Sequence, residues 1–464
     1  AAQCLVWDKK VKLRKPQDTN AADNLMKASK RCLFFIMNPA ELHEYFKITS
    51  GVKTDSRLIK DDCLFFALKG HNFDGNEFAI EALKKGAKFA VVDRSSIAKK
   101  SNKLILVEDS LQALQQLAQY HRKKLGTKII ALTGSNGKTT TKELILSVLS
   151  QKYNTQGTFG NLNNHIGVPL TLLEFDKNTE IGVVEMGANH VGEIDFLSKM
   201  IDPNFGLLTN FGHAHLEGFG SFEGIIKGKS ELFEYLLGKS GTCFLNIDDP
   251  LQRKWLNKLN SYTFGQDNNA NCQINYFREN FKPLSISFQN KTIKSKIYGD
   301  YNFSNISAAV AVGRYFKLSF DEIKKGITSF LPSNNRSQII IKGSNRITLD
   351  AYNANPSSME ASISSFCGEK QKKSVVILGD MLELGRYAVI AHQSVIQQII
   401  DSDIDEVLTI GEHFLETKSK DQRLKKFKTI TEAEKYISEK SYIDRDFLIK
   451  GSRRIALERL IELL

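Results

Sequence analysis

One segment constrains the fold more than any other. A short apolar run, Lys128-Ile129-Ile130-Ala131-Leu132, feeds directly into Thr133-Gly134-Ser135-Asn136-Gly137-Lys138-Thr139-Thr140. An apolar run with no polar alternation is a strand buried on both faces, and such strands belong to parallel sheets covered by helices. Thr140 to Gln151 then has helical spacing. Strand, glycine loop and helix in that order make a phosphate cradle. The glycines let backbone N–H groups approach phosphate oxygens, and the helix N-terminus adds positive potential. The spacing is GxxGKT, because leucine stands at 132 where the stricter pattern has glycine. Gly134, Ser135, Asn136, Gly137 and Thr140 would line the phosphates of ATP, Lys138 would reach the β- and γ-phosphates, and Thr139 would set a hydroxyl on Mg²⁺. The competing reading is a glycine-rich turn with an unrelated lysine.

The alternation extends both ways. Before the loop, Asp62 to Leu68, Phe89 to Val92 and Leu104 to Val107 read as strands, and Asn76 to Lys85 and Ser110 to about Leu125 as helices. After it, Glu180 to Met186 and Phe205 to Thr209 are further buried strands, and the pattern restarts with Ser374 to Leu378, Glu406 to Ile410 and Phe447 to Lys450. The expected fold is α/β in three domains. These are a small first domain over 37–125, a central P-loop-type domain with a mainly parallel sheet over 126–334, and a C-terminal Rossmann-like domain over 335–464. Residues 1–36 are basic and lack Pro/Gly punctuation, and they read as an extension before a natural start at Met37; the alternative is a genuine basic arm.

With 41% apolar and 25% charged residues the chain can bury real cores, and no apolar run approaches the length of a membrane helix. The net charge of +12 would suit a polyanion, but the lysines are spread rather than blocked, which fits a solvated surface better than a nucleic-acid interface. Cys4, Cys32, Cys63, Cys243, Cys272 and Cys367 show no metal or redox spacing and read as reduced, mostly buried thiols of a cytoplasmic protein.

Magnesium needs oxygen ligands beside the phosphates. Glu185 ends the strand Ile181-Gly182-Val183-Val184, on the edge of a parallel sheet that the phosphate loop also faces, and is a candidate ligand or a surface carboxylate. His213 and His215 follow the next strand, and a site role and a structural one stand about level for them. Lys227 and Lys229 read on periodicity alone as exposed helix lysines.

Several segments together resemble the Mur ligases over about residues 45–464. They are the loop Gly160 to Pro169, Glu185-Met186-Gly187-Ala188, His213 to Ser221, Asp350 to Pro356 and Gly379 to Gly385. The resemblance implies a monomeric ligase of peptidoglycan precursor synthesis. Its partners would be ATP, UDP-N-acetylmuramoyl-tripeptide and D-alanyl-D-alanine, with two Mg²⁺ ions and an acyl-phosphate intermediate. It implies that Lys229, in Lys229-Ser230-Glu231-Leu232-Phe233, is carbamylated and joins Thr139, Glu185 and His215 around the metal, so that Lys138, Glu185, His215 and Lys229 form the catalytic group. Asn302 and Asn305 resemble adenine-side residues, and Arg336 and Asp350 further ATP contacts. Thr54, Asp55, Ser56, Arg57, Lys69, Gly70, Phe73, Asp74 and Gly75 resemble the uridine-diphosphate segments. Without the family, Ser56 and Arg57 read as an ordinary turn. Tyr352, Asn353, Asn355, Asp380, Lys450 and Arg453 fall on the dipeptide side by the same resemblance. Arg386-Tyr387 departs from the acidic stretch expected after Gly385, and residues 1–36 match nothing. Rival readings are a sister ligase adding a single amino acid, a folylpolyglutamate-type ligase, and, from another class, a nucleic-acid-stimulated ATPase.

Overall fold

The computed structural model describes residues 37–277, 282–332 and 335–464. The expected extension at 1–36, with Cys4 and Cys32, lies outside the described residues. The chain divides into two compact units, one ending at Tyr120 and one running from His121 to Leu464. Among the described residues no helix is long and apolar enough to cross a membrane. Cys63, Cys243 and Cys272 are buried and free, and Cys367 is half-buried and free.

In the first unit, α1 (Pro39–Lys47) is opened by a capping box in which Asn38 and Glu41 satisfy each other's backbone N–H groups. Strands β1 (Val52–Lys53), β2 (Leu64–Phe66), β3 (Phe89–Val92) and β4 (Leu104–Leu106) form a parallel sheet in that order. The helix expected over 76–85 is a 3₁₀ turn, Gly75–Phe78, followed by α-helix Ala79–Lys84. Asp74 causes the tight start by accepting from the Asn76 N–H at 2.9 Å. Helix α2 (Ser110–Leu125) follows.

The second unit holds a seven-stranded sheet built from β5 (Lys128–Thr133), β6 (Thr155–Gly157), β7 (Ile181–Glu185), β8 (Phe205–Leu208), β9 (Thr242–Asn246), β10 (Asn260–Gly265) and β11 (Cys272–Gln273). Its order is β11-β10-β9-β8-β5-β7-β6, and every pairing is parallel. β5 and β7 are buried on both faces, as their unbroken apolar runs require. Helix α3 (Lys138–Leu149) buries Leu144, Ile145, Val148 and Leu149 against α4 (Phe303–Tyr315) and α5 (Phe320–Ser329). Truncating any one of those side chains to Ala costs about 2–5 kcal/mol. A three-stranded antiparallel sheet over 275–294 completes this part.

The remaining sheet contains β12 (Gln338–Lys342), β13 (Asn345–Asp350), β14 (Lys373–Gly379), β15 (Glu406–Ile410), β16 (Leu424–Phe427) and β17 (Arg445–Lys450), in the order β12-β13-β17-β14-β15-β16. Only the β12–β13 pairing is antiparallel. Two registers bring side chains together at strand ends. Leu132 pairs with Glu185 and Thr133 with Leu208, so β5, β7 and β8 end on one edge. Asp350 pairs with Lys450, so β13 and β17 also end level.

Candidate active site

The phosphate loop is held in shape by its neighbours. Gly134 has φ +142°, and a Cβ there would sit 2.0 Å from Thr209 Oγ1. Gly137 has φ +77°, and a Cβ there would sit 2.4 Å from Asn305 Oδ1. Both positions therefore require glycine. The loop after β8 grips the outside of the turn. Thr209 Oγ1 and Asn210 Nδ2 donate to the Asn136 carbonyl at 2.6 and 3.0 Å, and the Asn136 N–H donates to Asn210 Oδ1 at 3.0 Å. Lys138 curls over the loop, donating to the Gly134 and Ser135 carbonyls at 2.7 and 3.0 Å. Burial pulls its pKa down to about 8, with the Glu185 carboxylate opposing the shift. Thr139 is buried in the first turn of α3.

Glu185 is 1% exposed. Asn163 Nδ2 donates to its Oε1 at 2.8 Å, while its Oε2 has no hydrogen-bond partner among the described residues. A buried carboxylate oxygen without a hydrogen-bond partner is costly, and a cation beside bound phosphates would satisfy it. Among the described residues no three His, Cys, Asp or Glu side chains gather as a metal cage. A magnesium ion carried on phosphates does not need one, since one or two protein oxygens suffice. Thr139 and Glu185 thus fit the expected ion. His215 has φ +55°, and its Nδ1 lies 2.5 Å from Glu383 Oε2. This close ion-pair contact sets the orientation of the imidazole and leaves Nε2 clear of Glu383. His213 instead stacks on Phe222, with ring centroids 4.6 Å apart.

Helix α6 (Phe222–Lys239) buries Lys229 completely and leaves Lys227 exposed. The expectation that periodicity gives, two solvent-facing lysines, therefore fails for Lys229. Lys229 Nζ donates to the Ala188 carbonyl at 2.9 Å and lies 5.0 Å from the Phe219 ring centroid. Burial, and then the nearby Lys138 charge, hold its pKa well below the ordinary lysine value, which favours the neutral amine.

A cavity of about 640 Å³ joins these groups. It is lined by Ser135 to Thr140, Glu185 and His215, by Asn302, Asn305 and Arg336, and by Asp350, Tyr352, Asn353, Asn355 and Lys450. The Arg336 guanidinium lies 3.7 Å from the Tyr352 ring centroid. Asn305 Nδ2 donates to Asn302 Oδ1 at 2.8 Å, and Thr141 Oγ1 donates to Asn305 Oδ1 at 3.0 Å. Lys450 Nζ reaches Asp350 Oδ2 at 2.6 Å, so an expected ATP contact and an expected dipeptide contact form one buried pair. Asn355 caps α7 (Pro356–Glu369), and its Nδ2 donates to Asn136 Oδ1 at 2.7 Å, tying the C-terminal sheet's helix to the phosphate loop.

Four expected site residues of the second unit lie off this lining. Gly134 acts through the turn, and Lys229 sits behind Ala188. Asp380 spends its carboxylate on the His413 and Phe414 N–H groups at 2.9 and 3.0 Å. Arg453 pairs with Glu458 at 2.7 Å. Sequence reasoning passed over Lys142, Asn163 and Glu383. Only Lys142 carried a signal, its placement four residues after Lys138 on one helix face.

In the first unit, Arg57 Nη2 meets Asp55 Oδ2 at 2.6 Å, and hydrogen bonds from Arg57 hold the Asp55 carboxyl down to about 2. Thr54 and Ser56 flank Asp55 in that turn. Lys69 pairs with Asp93 at 2.8 Å and Asp74 with Arg94 at 2.5 Å. Gly70 lies under the exposed Phe73 ring, and Gly75 lies against the Leu68 carbonyl.

Known proteins resemble this chain in sequence and fold. The Mur ligase middle domain matches residues 132–313, the Mur ligase glutamate ligase domain residues 335–453, and the Mur ligase family catalytic domain residues 49–122. The UDP-N-acetylmuramoyl-tripeptide–D-alanyl-D-alanine ligase of Bacillus subtilis is 38% identical over 78% of this chain and 80% of its own length. The Escherichia coli protein of the same name is 34% identical over 89% and 93%. Among solved structures, MurF from Acinetobacter baumannii superposes with a TM-score of 0.82 at 29% identity, covering 93% of this chain and 99% of that one. MurF ligase from Thermotoga maritima, in complex with ADP, gives 0.79 at 27% identity, covering 90% and 97%.

Proposed function

The chain belongs to the Mur ligase family, and from that premise we propose that it joins D-alanyl-D-alanine to the tripeptide carboxylate of UDP-N-acetylmuramoyl-tripeptide, converting ATP to ADP and phosphate, in peptidoglycan precursor synthesis. The observation that carries the site assignment is the cavity in which Lys138 and the open oxygen of Glu185 face Arg336, Tyr352 and Asn353.

A carboxylate is a poor electrophile. Transfer of the γ-phosphoryl group to the tripeptide carboxylate gives an acyl phosphate and ADP. The dipeptide amine then attacks the acyl carbon, and the tetrahedral intermediate expels phosphate to leave the amide. The chain's residues position and neutralise rather than react. The Gly134–Thr140 loop cradles the phosphates, and Lys138 offsets the charge that builds on the transferred group. Asn302, Asn305, Arg336 and Asp350 hold the nucleotide. Tyr352, Asn353, Asn355 and Lys450 face the side from which the amine arrives. Thr139, Glu185 and His215 would hold magnesium, which when bound neutralises the phosphates and orients them. A carbamate on Lys229 would add an anionic ligand, and the neutral amine favoured by burial is the form that captures carbon dioxide. Thr54 to Arg57 and Lys69 to Gly75 supply donors for the uridine diphosphate. The division into 37–125, 126–334 and 335–464 assigns nucleotide sugar, ATP and dipeptide to successive parts of the chain. The enzyme works as a monomer in the cytoplasm.

The product tests the assignment. Mass spectrometry after incubation with ATP, UDP-N-acetylmuramoyl-tripeptide and D-alanyl-D-alanine should show the nucleotide peptide extended by a dipeptide. Extension by D-alanine alone, at a matching rate, would place the enzyme with the sister ligases.

A further inference from the structure

Lys142 has no part in the chemistry above. It lies on α3, one helical turn beyond Lys138, and is 0% exposed. Lysines are almost never buried to that degree unless paired. Its Nζ donates to the Thr158 carbonyl, meets Glu143 Oε1 at 3.0 Å, and lies 4.0 Å from Glu185 Oε2. The Glu143 side chain is 45% exposed, so water screens its share of that charge. Glu185 is buried, so its attraction to Lys142 is screened far less. The 4.0 Å gap is beyond hydrogen-bond reach, so Lys142 balances the carboxylate without occupying its open oxygen. The same residues fix the geometry. Thr158, whose carbonyl Lys142 holds, accepts the Glu185 N–H on Oγ1 at 2.9 Å, and Asn163 holds the other carboxylate oxygen at 2.8 Å.

We infer that Lys142 is a positioning residue that helps hold the Glu185 carboxylate in place with one oxygen open and, by its fixed positive charge, makes the site accept magnesium as a nucleotide complex rather than as a bare ion. A bare divalent cation entering beside Glu185 meets the charges of Lys138 and Lys142 together. A magnesium–nucleotide complex carries net negative charge and is attracted by both. Metal and nucleotide therefore load as one, and no ion sits in the site before ATP arrives. The inference rests on the reading of the cavity as a magnesium–nucleotide site.

The test uses the full-length enzyme and Mn²⁺ as a spectroscopic stand-in for Mg²⁺. Free Mn²⁺ is followed by electron paramagnetic resonance, with and without ADP. Lys142→Gln removes the charge but keeps an amide donor for the Thr158 carbonyl, while Lys142→Arg keeps the charge. Lys142→Gln should bind bare Mn²⁺ about tenfold more tightly than wild type, and Lys142→Arg should stay close to wild type. A merely structural role would weaken metal binding in both variants. Bare Mn²⁺ binding no tighter in Lys142→Gln than in wild type, or equal gains in the Gln and Arg variants, overturns the inference while leaving ADP-dependent Mn²⁺ binding by wild type intact. Should Lys142→Gln fail to melt cooperatively, Lys142→Met is read in the same way. If wild type shows no ADP-dependent Mn²⁺ binding, the cavity reading fails and the inference with it.

Discussion

Replacing Asp350 by Ala should cost the C-terminal part of the chain about 4 kcal/mol. Lys450 is 2% exposed, and among the described residues its only other hydrogen-bond partner is the Asn353 carbonyl at 3.5 Å. Removing one partner of such a pair strands a buried charge, which costs about 3–5 kcal/mol. Asp350 also accepts from Ser362 Oγ at 2.9 Å and from the Ser337 N–H at 3.3 Å, bonds of about 1 kcal/mol each. The partial exposure of Asp350 itself lowers the total toward the middle of that range. Against a domain stability of about 5–15 kcal/mol, the loss is large. Urea unfolding followed by far-UV circular dichroism reads it. Asp350→Leu with Lys450→Met should recover most of the loss, because no charge is then left unpaired. The pH dependence has a definite sign. Burial raises the Asp350 carboxyl, but the Lys450 charge and the Ser362 and Ser337 hydrogen bonds outweigh it and hold it below the usual aspartate value. The pair's contribution is therefore complete above the unfolded-state value and is lost as pH falls through the lower folded-state value. Wild type should lose stability more steeply than Asp350→Asn in that acid range. A loss under about 1 kcal/mol, or a double variant no more stable than Asp350→Ala, would refute the reasoning.

Gly137→Ala forces a side chain into a left-handed backbone and against Asn305, and should weaken ADP binding by at least about tenfold in calorimetry; unchanged binding would show that the loop can relax. Glu383→Ala frees the His215 ring and should lower kcat by about tenfold or more with KM for the dipeptide little changed, in a coupled assay; a pure KM effect would place Glu383 on substrate binding instead. Lys229→Ala should abolish activity, and short carboxylates should restore part of it by standing in for a carbamate; full activity without them would remove Lys229 from the site.

Much of this site was legible because its chemistry sits on continuous segments. The apolar run at 129–132 could only be a buried strand, and the glycines after it could only serve a turn with positive φ. Glu185 stood out as a candidate because it ends a buried strand, and the alternative of a surface carboxylate fails since it is 1% exposed. Strand ends moved by a residue or two, as with Asp62 to Leu68 contracting to Leu64–Phe66, since apolar flanks pack without pairing. The antiparallel strands at 275–294 were missed because their faces mix Ser, Lys and Thr with apolar residues. The burial of Lys229 was not legible in the sequence, because periodicity cannot tell a buried lysine from an exposed one nearby on the same helix. Asp380 shows the opposite failure. Its motif pointed to the dipeptide, yet its oxygens are spent on backbone N–H groups of 413 and 414. Glu383 was silent because its partner His215 lies far away in sequence.

The central claim is that ATP cleavage in this cavity is coupled to formation of one amide bond. Phosphate release measured with UDP-N-acetylmuramoyl-tripeptide, with and without D-alanyl-D-alanine, tests it most directly. The account predicts release only when both are present, one phosphate for each amide formed, and none when D-alanyl-D-alanine is replaced by a single amino acid. Release that proceeds equally with the single amino acid, or that polynucleotide stimulates without the nucleotide peptide, would contradict it.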